Sequence, residues 1–118
     1  MPLPEFVNLE AKQGDTYIAT AVLSDDSDVP TDVTLYTAEF SLAASAGGTP
    51  SFTYTEADYI TVGTTDGLFS IEIPPEVTAL WVRNRYQYEF SVRGSSGTGV
   101  KTTLFEGRLT IRPEVVRG

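Results

Sequence analysis

Leu80-Trp81-Val82-Arg83-Asn84-Arg85-Tyr86-Gln87-Tyr88-Glu89-Phe90-Ser91-Val92 is the stretch whose reading decides the fold. From Tyr86 onward it alternates without a break. Tyr86, Tyr88, Phe90 and Val92 fall on one side, and Arg85, Gln87, Glu89 and Ser91 on the other. A period of two, with aromatic and β-branched residues sharing a side, predicts a strand buried on one face. Leu80 lies six residues before Tyr86, across a short corner. That spacing resembles a tyrosine corner, in which the hydroxyl bonds back to the backbone near Leu80; the alternative is that Tyr86 is one more core aromatic.

Working outward, the remainder reads as more short strands divided by turn formers. Phe6–Ala11 is a first strand, ended by the Gly14-Asp15 turn signal. Thr16–Leu23 is a second, with two apolar rows. The Tyr17, Ala19, Ala21, Leu23 row is assigned inward because it is longer and carries the larger residues. Ile18 and Val22 then sit outside, where an apolar pair calls for a partner. Ser24–Pro30 is an acidic loop, Leu35–Ala43 a third strand and Ala44–Pro50 a break. Phe52–Thr55 and Tyr59–Val62 read as edge strands, and Asp66-Gly67 is a strong hairpin dipeptide leading into Leu68–Ile73. Pro74-Pro75 stops that strand, and Pro75–Leu80 is one helical turn. After Arg85–Arg93 and the glycine-rich Gly94–Gly99 loop, Lys101–Arg112 closes the series with Phe105, Gly107, Leu109 and Ile111 inward. Phe40, Phe69, Phe90, Phe105 and Ile111 are expected to share one core. All 118 residues suit a single domain.

That number and spacing of strands, with a tyrosine six residues past Leu80, resembles immunoglobulin-like sandwiches. The expected fold is all-β: an antiparallel immunoglobulin-like sandwich of about seven to nine strands, with a one-turn helix before the tyrosine corner.

The composition removes several chemistries. The chain has no cysteine and no histidine, so it lacks disulfides, the commonest general base and the commonest metal ligand. Residues 1–82 hold thirteen acidic side chains against Lys12, giving −12, and residues 83–118 hold seven basic against three acidic, giving +4; the sum is the net −8. A mainly acidic surface repels phosphate backbones, so nucleic acid is not an expected partner. No apolar run approaches a membrane span, and the start lacks the basic and apolar regions of an ordinary secretory signal.

Each motif that might carry chemistry is weak. Asp25-Asp26-Ser27-Asp28 with Asp32 offers oxygen ligands but lacks the glycine and terminal glutamate of an EF-hand loop, so a solvated acidic turn is expected in place of calcium. The Gly94–Gly99 loop opens no helix and makes no phosphate cradle. Glu72 and Glu76 flank Pro74-Pro75, and nothing sets them facing one another for sugar chemistry. Trp81 lies on the corner, outside any strand, and is left open between core and sugar-stacking surface. No catalytic, metal or cofactor residue is assigned.

Three stretches carry a more specific likeness: Gln13-Gly-Asp-Thr-Tyr17, Val29-Pro-Thr-Asp-Val-Thr34, and Leu104–Arg117, with Asp66-Gly67-Leu68 and the Thr78, Leu80, Tyr86, Tyr88 corner between them. Together they resemble the small immunoglobulin-like structural modules of tailed phages, including the N-terminal modules of baseplate upper proteins. The closing Glu114-Val115-Val116 departs from the Glu-Val-Thr of that pattern. The resemblance implies a non-enzymatic tail, baseplate, neck or fibre-attachment component, made in the bacterial host cytoplasm and located in the virion, with copies of itself and other virion proteins as partners. Ile18, Val22, Arg85, Arg93, Arg108 and Arg112 are the expected interface. A carbohydrate-binding or adhesion module is the alternative, and it requires exposed aromatics around Trp81.

Overall fold

The computed structural model describes residues 5–24, 27, 29–45, 47–94 and 101–113. Within them the order is β1 (Glu5–Phe6), β2 (Leu9–Lys12), β3 (Tyr17–Val22), β4 (Thr37–Ala43), β5 (Pro50–Thr55), β6 (Ile60–Val62), β7 (Leu68–Ile73), α1 (Pro75–Thr78), β8 (Arg85–Arg93) and β9 (Thr102–Arg112). Two sheets face one another. The larger runs β1-β9-β8-β4-β5, with β2 also on β9, and the smaller runs β3-β7-β6.

The alternation in β8 puts Tyr86, Tyr88, Phe90 and Val92 into the core. As the middle strand of the larger sheet, β8 sets Phe90 opposite Phe40 on β4 and opposite Phe105 on β9. The inward row then meets the smaller sheet through rings. Phe69 of β7 stands edge-on to Phe90 at 5.7 Å, and Tyr17 of β3 stacks on Phe40 at 6.3 Å. Such pairs add about 0.5–1.5 kcal/mol each beyond the area they bury. Phe40, Phe69, Phe90 and Ile111 are buried together, and Phe105 is half-buried against them. The facing of β3 follows its larger row: Tyr17 is buried, while Ile18, Thr20 and Val22 are exposed.

The first strand differs from the expected single run over Phe6–Ala11. It is broken into β1 and β2, and both pieces pair parallel to β9, the departures from an otherwise antiparallel arrangement. The break at Val7-Asn8 is built by side chains distant in sequence. The Tyr88 hydroxyl donates to the Val7 carbonyl at 2.6 Å, and the Arg108 N–H donates to Asn8 Oδ1 at 3.3 Å. Gly107, at φ 154°, leaves the room this needs, since a Cβ there would lie 2.3 Å from the Val7 oxygen.

The Asp66-Gly67 turn forms as its dipeptide predicts. Asp66 Oδ1 accepts the N–H groups of Thr64 and Leu68, and Gly67 takes φ 67°. Pro74 precedes α1, so β7 ends where the ladder loses its donor.

Phe90 joins three strands to the opposite sheet, so Phe90→Ala is expected to lower unfolding free energy by roughly 3–5 kcal/mol through lost burial and the cavity left behind. Urea denaturation measures this, and an unchanged midpoint contradicts it.

Candidate functional site

The corner between α1 and β8 is closed by bonds that join segments far apart in sequence. Thr78 is fully buried. Its hydroxyl donates to the Asp15 carbonyl at 2.8 Å and accepts the Gly14 N–H at 3.1 Å. Gln13 Nε2 adds a bond to the Ala79 carbonyl at 3.0 Å. The turn entering β3 is therefore tied to α1, which fixes where β3 starts along the sandwich. The sequence placed Thr78 in the corner but gave no sign of its tie to the β3 turn, because a threonine in a one-turn helix gives no periodic signal.

The tyrosine corner forms on a different partner from the one expected. The Tyr86 hydroxyl accepts the Arg83 N–H at 3.3 Å, where a bond near Leu80 was expected. Leu80 is 57% exposed and takes no part in closing the corner. Its neighbour does the packing. Trp81 is wholly buried, with Nε1–H donating to the Tyr54 hydroxyl at 2.9 Å and its ring edge-on to Tyr17 at 5.9 Å. Burial of Trp81 removes the stacking platform that a sugar-binding reading placed there.

Burial also pushes the Tyr17 phenol up from 10.0 to about 12. Tyr54 is raised too, by burial first, with the Trp81 bond acting against it. On the rim, the two bonds from Thr34 hold Asp32 below the ordinary carboxylate range. Asp25, Asp26 and Asp28 lie outside the described residues, as do residues 95–100 of the glycine-rich loop. Among the described residues no cluster of three or more potential ligands is placed to hold a metal ion. Glu72 at the end of β7 and Glu76 in α1 are both exposed. No helix among the described residues is long and apolar enough to cross a membrane.

Three surfaces remain. The outer face of the smaller sheet carries Ile18, 66% exposed, and Val22, 56% exposed, opposite Glu72 and Leu68 respectively. The outer face of the larger sheet carries the arginines: Arg85 is paired opposite Thr110, Gln87 opposite Arg108, and Thr37 opposite Arg93. Arg112 meets Glu10 at 3.5 Å on the same face. The six expected interface residues thus do not form one patch. Two lie on one sheet and four on the other, back to back, because β3 and the pair β8–β9 belong to opposite layers. Across the arginine face runs a groove of about 420 Å³, lined by Phe6, Glu39, Glu89, Lys101 and Glu106 among others. A Lys101–Glu89 ion pair at 3.1 Å crosses it. The third surface is a smaller apolar groove of about 150 Å³ where the two sheets part beside β3.

No protein-family model matches the chain, and no curated protein matches it. Among solved structures, a chicken TCR is similar over 98% of this chain and 57% of that one, with TM-score 0.54 and 15% identity. This chain therefore spans little more than half the length of that neighbour, and identity at that level speaks to architecture alone. With the corner, the two sheets and the β8-centred core, it defines the class: an immunoglobulin-like β-sandwich.

Two measurements check the corner. Tyr86→Phe is expected to cost about 0.5–1.5 kcal/mol, because the Arg83 N–H loses a long and partly buried acceptor. Trp81→Ala is expected to cost roughly 3–5 kcal/mol. Equal effects from the two substitutions contradict this division of roles between Tyr86 and Trp81.

The Tyr17 shift sets an alkaline limit. In the unfolded chain the phenol ionises near 10, in the folded one near 12, so folding favours the neutral form. The contribution is complete below pH 10 and is lost between 10 and 12, at up to about 1.4 kcal/mol per pH unit. Tyr17→Phe should flatten that limb of the stability–pH curve. An identical limb in the variant contradicts the assignment.

Proposed function

We propose that this chain is a non-enzymatic assembly module that works as multiple copies, a tail, baseplate, neck or fibre-attachment component of a tailed phage or prophage. The observation that carries the reading is the exposed Ile18–Val22 pair on the outer face of β3, an apolar surface with no cover among the described residues. The virion assignment rests on the resemblance of Gln13–Tyr17, Val29–Thr34 and Leu104–Arg117 to phage modules.

The two outer faces suggest how copies meet. The apolar face lies in a layer whose nearby charges are acidic, Asp15, Asp66 and Glu72, and the opposite layer presents Arg85, Arg93, Arg108 and Arg112. In face-to-back stacking the arginines are the unlike charges that orient the contact, and Glu39, Glu89 and Glu106 on the same face act against them. Such a heterologous contact closes into a ring or extends into a filament, according to its rotation. Apolar burial supplies most of the affinity, since rim charge pairs are worth only about 0–1 kcal/mol each, and the charges set orientation.

Light scattering tests it. The expected result is a defined oligomer that Ile18→Asp dissociates, and that Arg108→Ala weakens slightly while reducing its dependence on salt. A strict monomer at low salt and high concentration, with no partner from the same operon recovered by pull-down, removes the proposal.

A further inference from the structure

Among the described residues the second layer of this sandwich holds three strands. In immunoglobulin-type sandwiches the first strand commonly lies beside the second, in a four-stranded layer. Here β1 and β2 are both on β9, and the smaller layer is β3-β7-β6. Among the described residues nothing pairs with the other edge of β3. The hydrogen-bond phase identifies what that edge presents. Leu23 N–H bonds to the Gly67 carbonyl, while Glu72 N–H and the Leu68 carbonyl bond toward β6. In an antiparallel ladder bonded pairs alternate, so Tyr17, Ala19 and Ala21 are bonded to β7. Ile18, Thr20 and Val22 aim their N–H and C=O groups at the open side.

Other edges carry devices that β3 lacks: β1 is two residues long and β2 carries Glu10 and Lys12. β6 has three residues, and β5 opens with Pro50. β3 has six residues, Tyr-Ile-Ala-Thr-Ala-Val, without a charge, a proline or a bulge. Proteins usually blunt such an edge with one of those devices. Beneath it lies the apolar groove of about 150 Å³, between Ala19 and Ala21 on one side and Val7, Leu9 and Phe105 on the other, with Tyr88 among its lining residues. The small alanines leave room that a neighbouring strand's inward side chains would fill.

We propose that the open edge of β3 accepts an extended strand donated by another polypeptide, with bulky aliphatic side chains at alternate positions entering the groove and a basic residue at the end that meets Asp15 and Glu72. Main-chain bonds to Ile18, Thr20 and Val22 supply the fit, and alternate side chains supply selectivity, as in strand addition generally. Asp15, just before β3, and Glu72, opposite Ile18, lie at the same end of the strand and select a basic residue there. A second copy of β3 fits less well. Antiparallel self-pairing about Thr20 sets Ala19 against Ala21 and leaves the groove unfilled. The inference goes beyond the assembly reading, because it concerns the edge of β3 and not its outer face.

The probe is acetyl-Lys-Thr-Val-Thr-Leu-Thr-Val-Lys-amide, followed by amide hydrogen exchange on the full chain. At ten times its Kd the peptide should slow exchange at Ile18, Thr20 and Val22 about tenfold, with Tyr17, Ala19 and Ala21 little changed. The same peptide with both lysines replaced by glutamate should bind more weakly, and one with Val, Leu and Val replaced by serine should not bind. Thr20→Pro should abolish binding while keeping the melting midpoint within a few degrees, since that N–H is outside the β3–β7 ladder. If the variant unfolds, exchange in the unmodified protein decides. The proposal is overturned if the three amides show no peptide-dependent slowing. It is equally overturned if they are already protected in the free protein, whether that protection rises with protein concentration or disappears on removing residues 1–4. Oligomer formation in light scattering is read separately, so either proposal can fail alone.

Discussion

A buried tryptophan takes on the work that a disulfide does in many sandwiches of this kind. With no cysteine, no disulfide joins the two layers. Trp81 sits where α1 hands over to β8, its ring edge against Tyr17 of the smaller sheet and its N–H on Tyr54 of the larger. A large side chain that satisfies its polar atom inside the core adds both apolar burial and a fixed orientation. Everything that gives the surface its shape follows from that placement. Thr78 and Gln13 can tie the β3 turn to α1 because Trp81 holds α1 against the core. The position of β3 in turn sets which apolar residues face out.

The pattern of the sequence carried the layers but not their neighbours. Alternation in Tyr86–Val92 was enough to assign facing, whereas Tyr17–Leu23 carries two apolar rows and its facing followed from the larger one. Asp66-Gly67 and Pro74-Pro75 were legible because turn and stop chemistry is local. Trp81 was not, since a residue between elements belongs to no period. The split of the first strand was also hidden. It depends on Gly107, Tyr88 and Arg108 meeting Val7 and Asn8 from 81 to 100 positions away.

The same limit explains the candidate interface. Ile18, Val22 and the four arginines each read correctly as outward residues, yet periodicity cannot tell one outer face from the other. Topology puts β3 in one layer and β8 and β9 in the other. That separation offers two unlike faces in place of a single mixed patch, and in the proposed assembly unlike faces favour repeated stacking over a closed pair. The open edge of β3 is a second consequence of topology. It exists because β1 and β2 chose β9, a long-range decision no local signal announces.

The proposed working surface of this protein is β3 together with the arginine face behind it. Methyl NMR across a protein dilution series tests this. The Ile18 and Val22 methyl signals and the Arg85 and Arg108 side-chain signals are expected to shift together as concentration rises, while Ile73 and Leu109 in the core stay fixed. Signals of Ile18 and Val22 that do not move over the whole series, or that move only in step with the core methyls, contradict it.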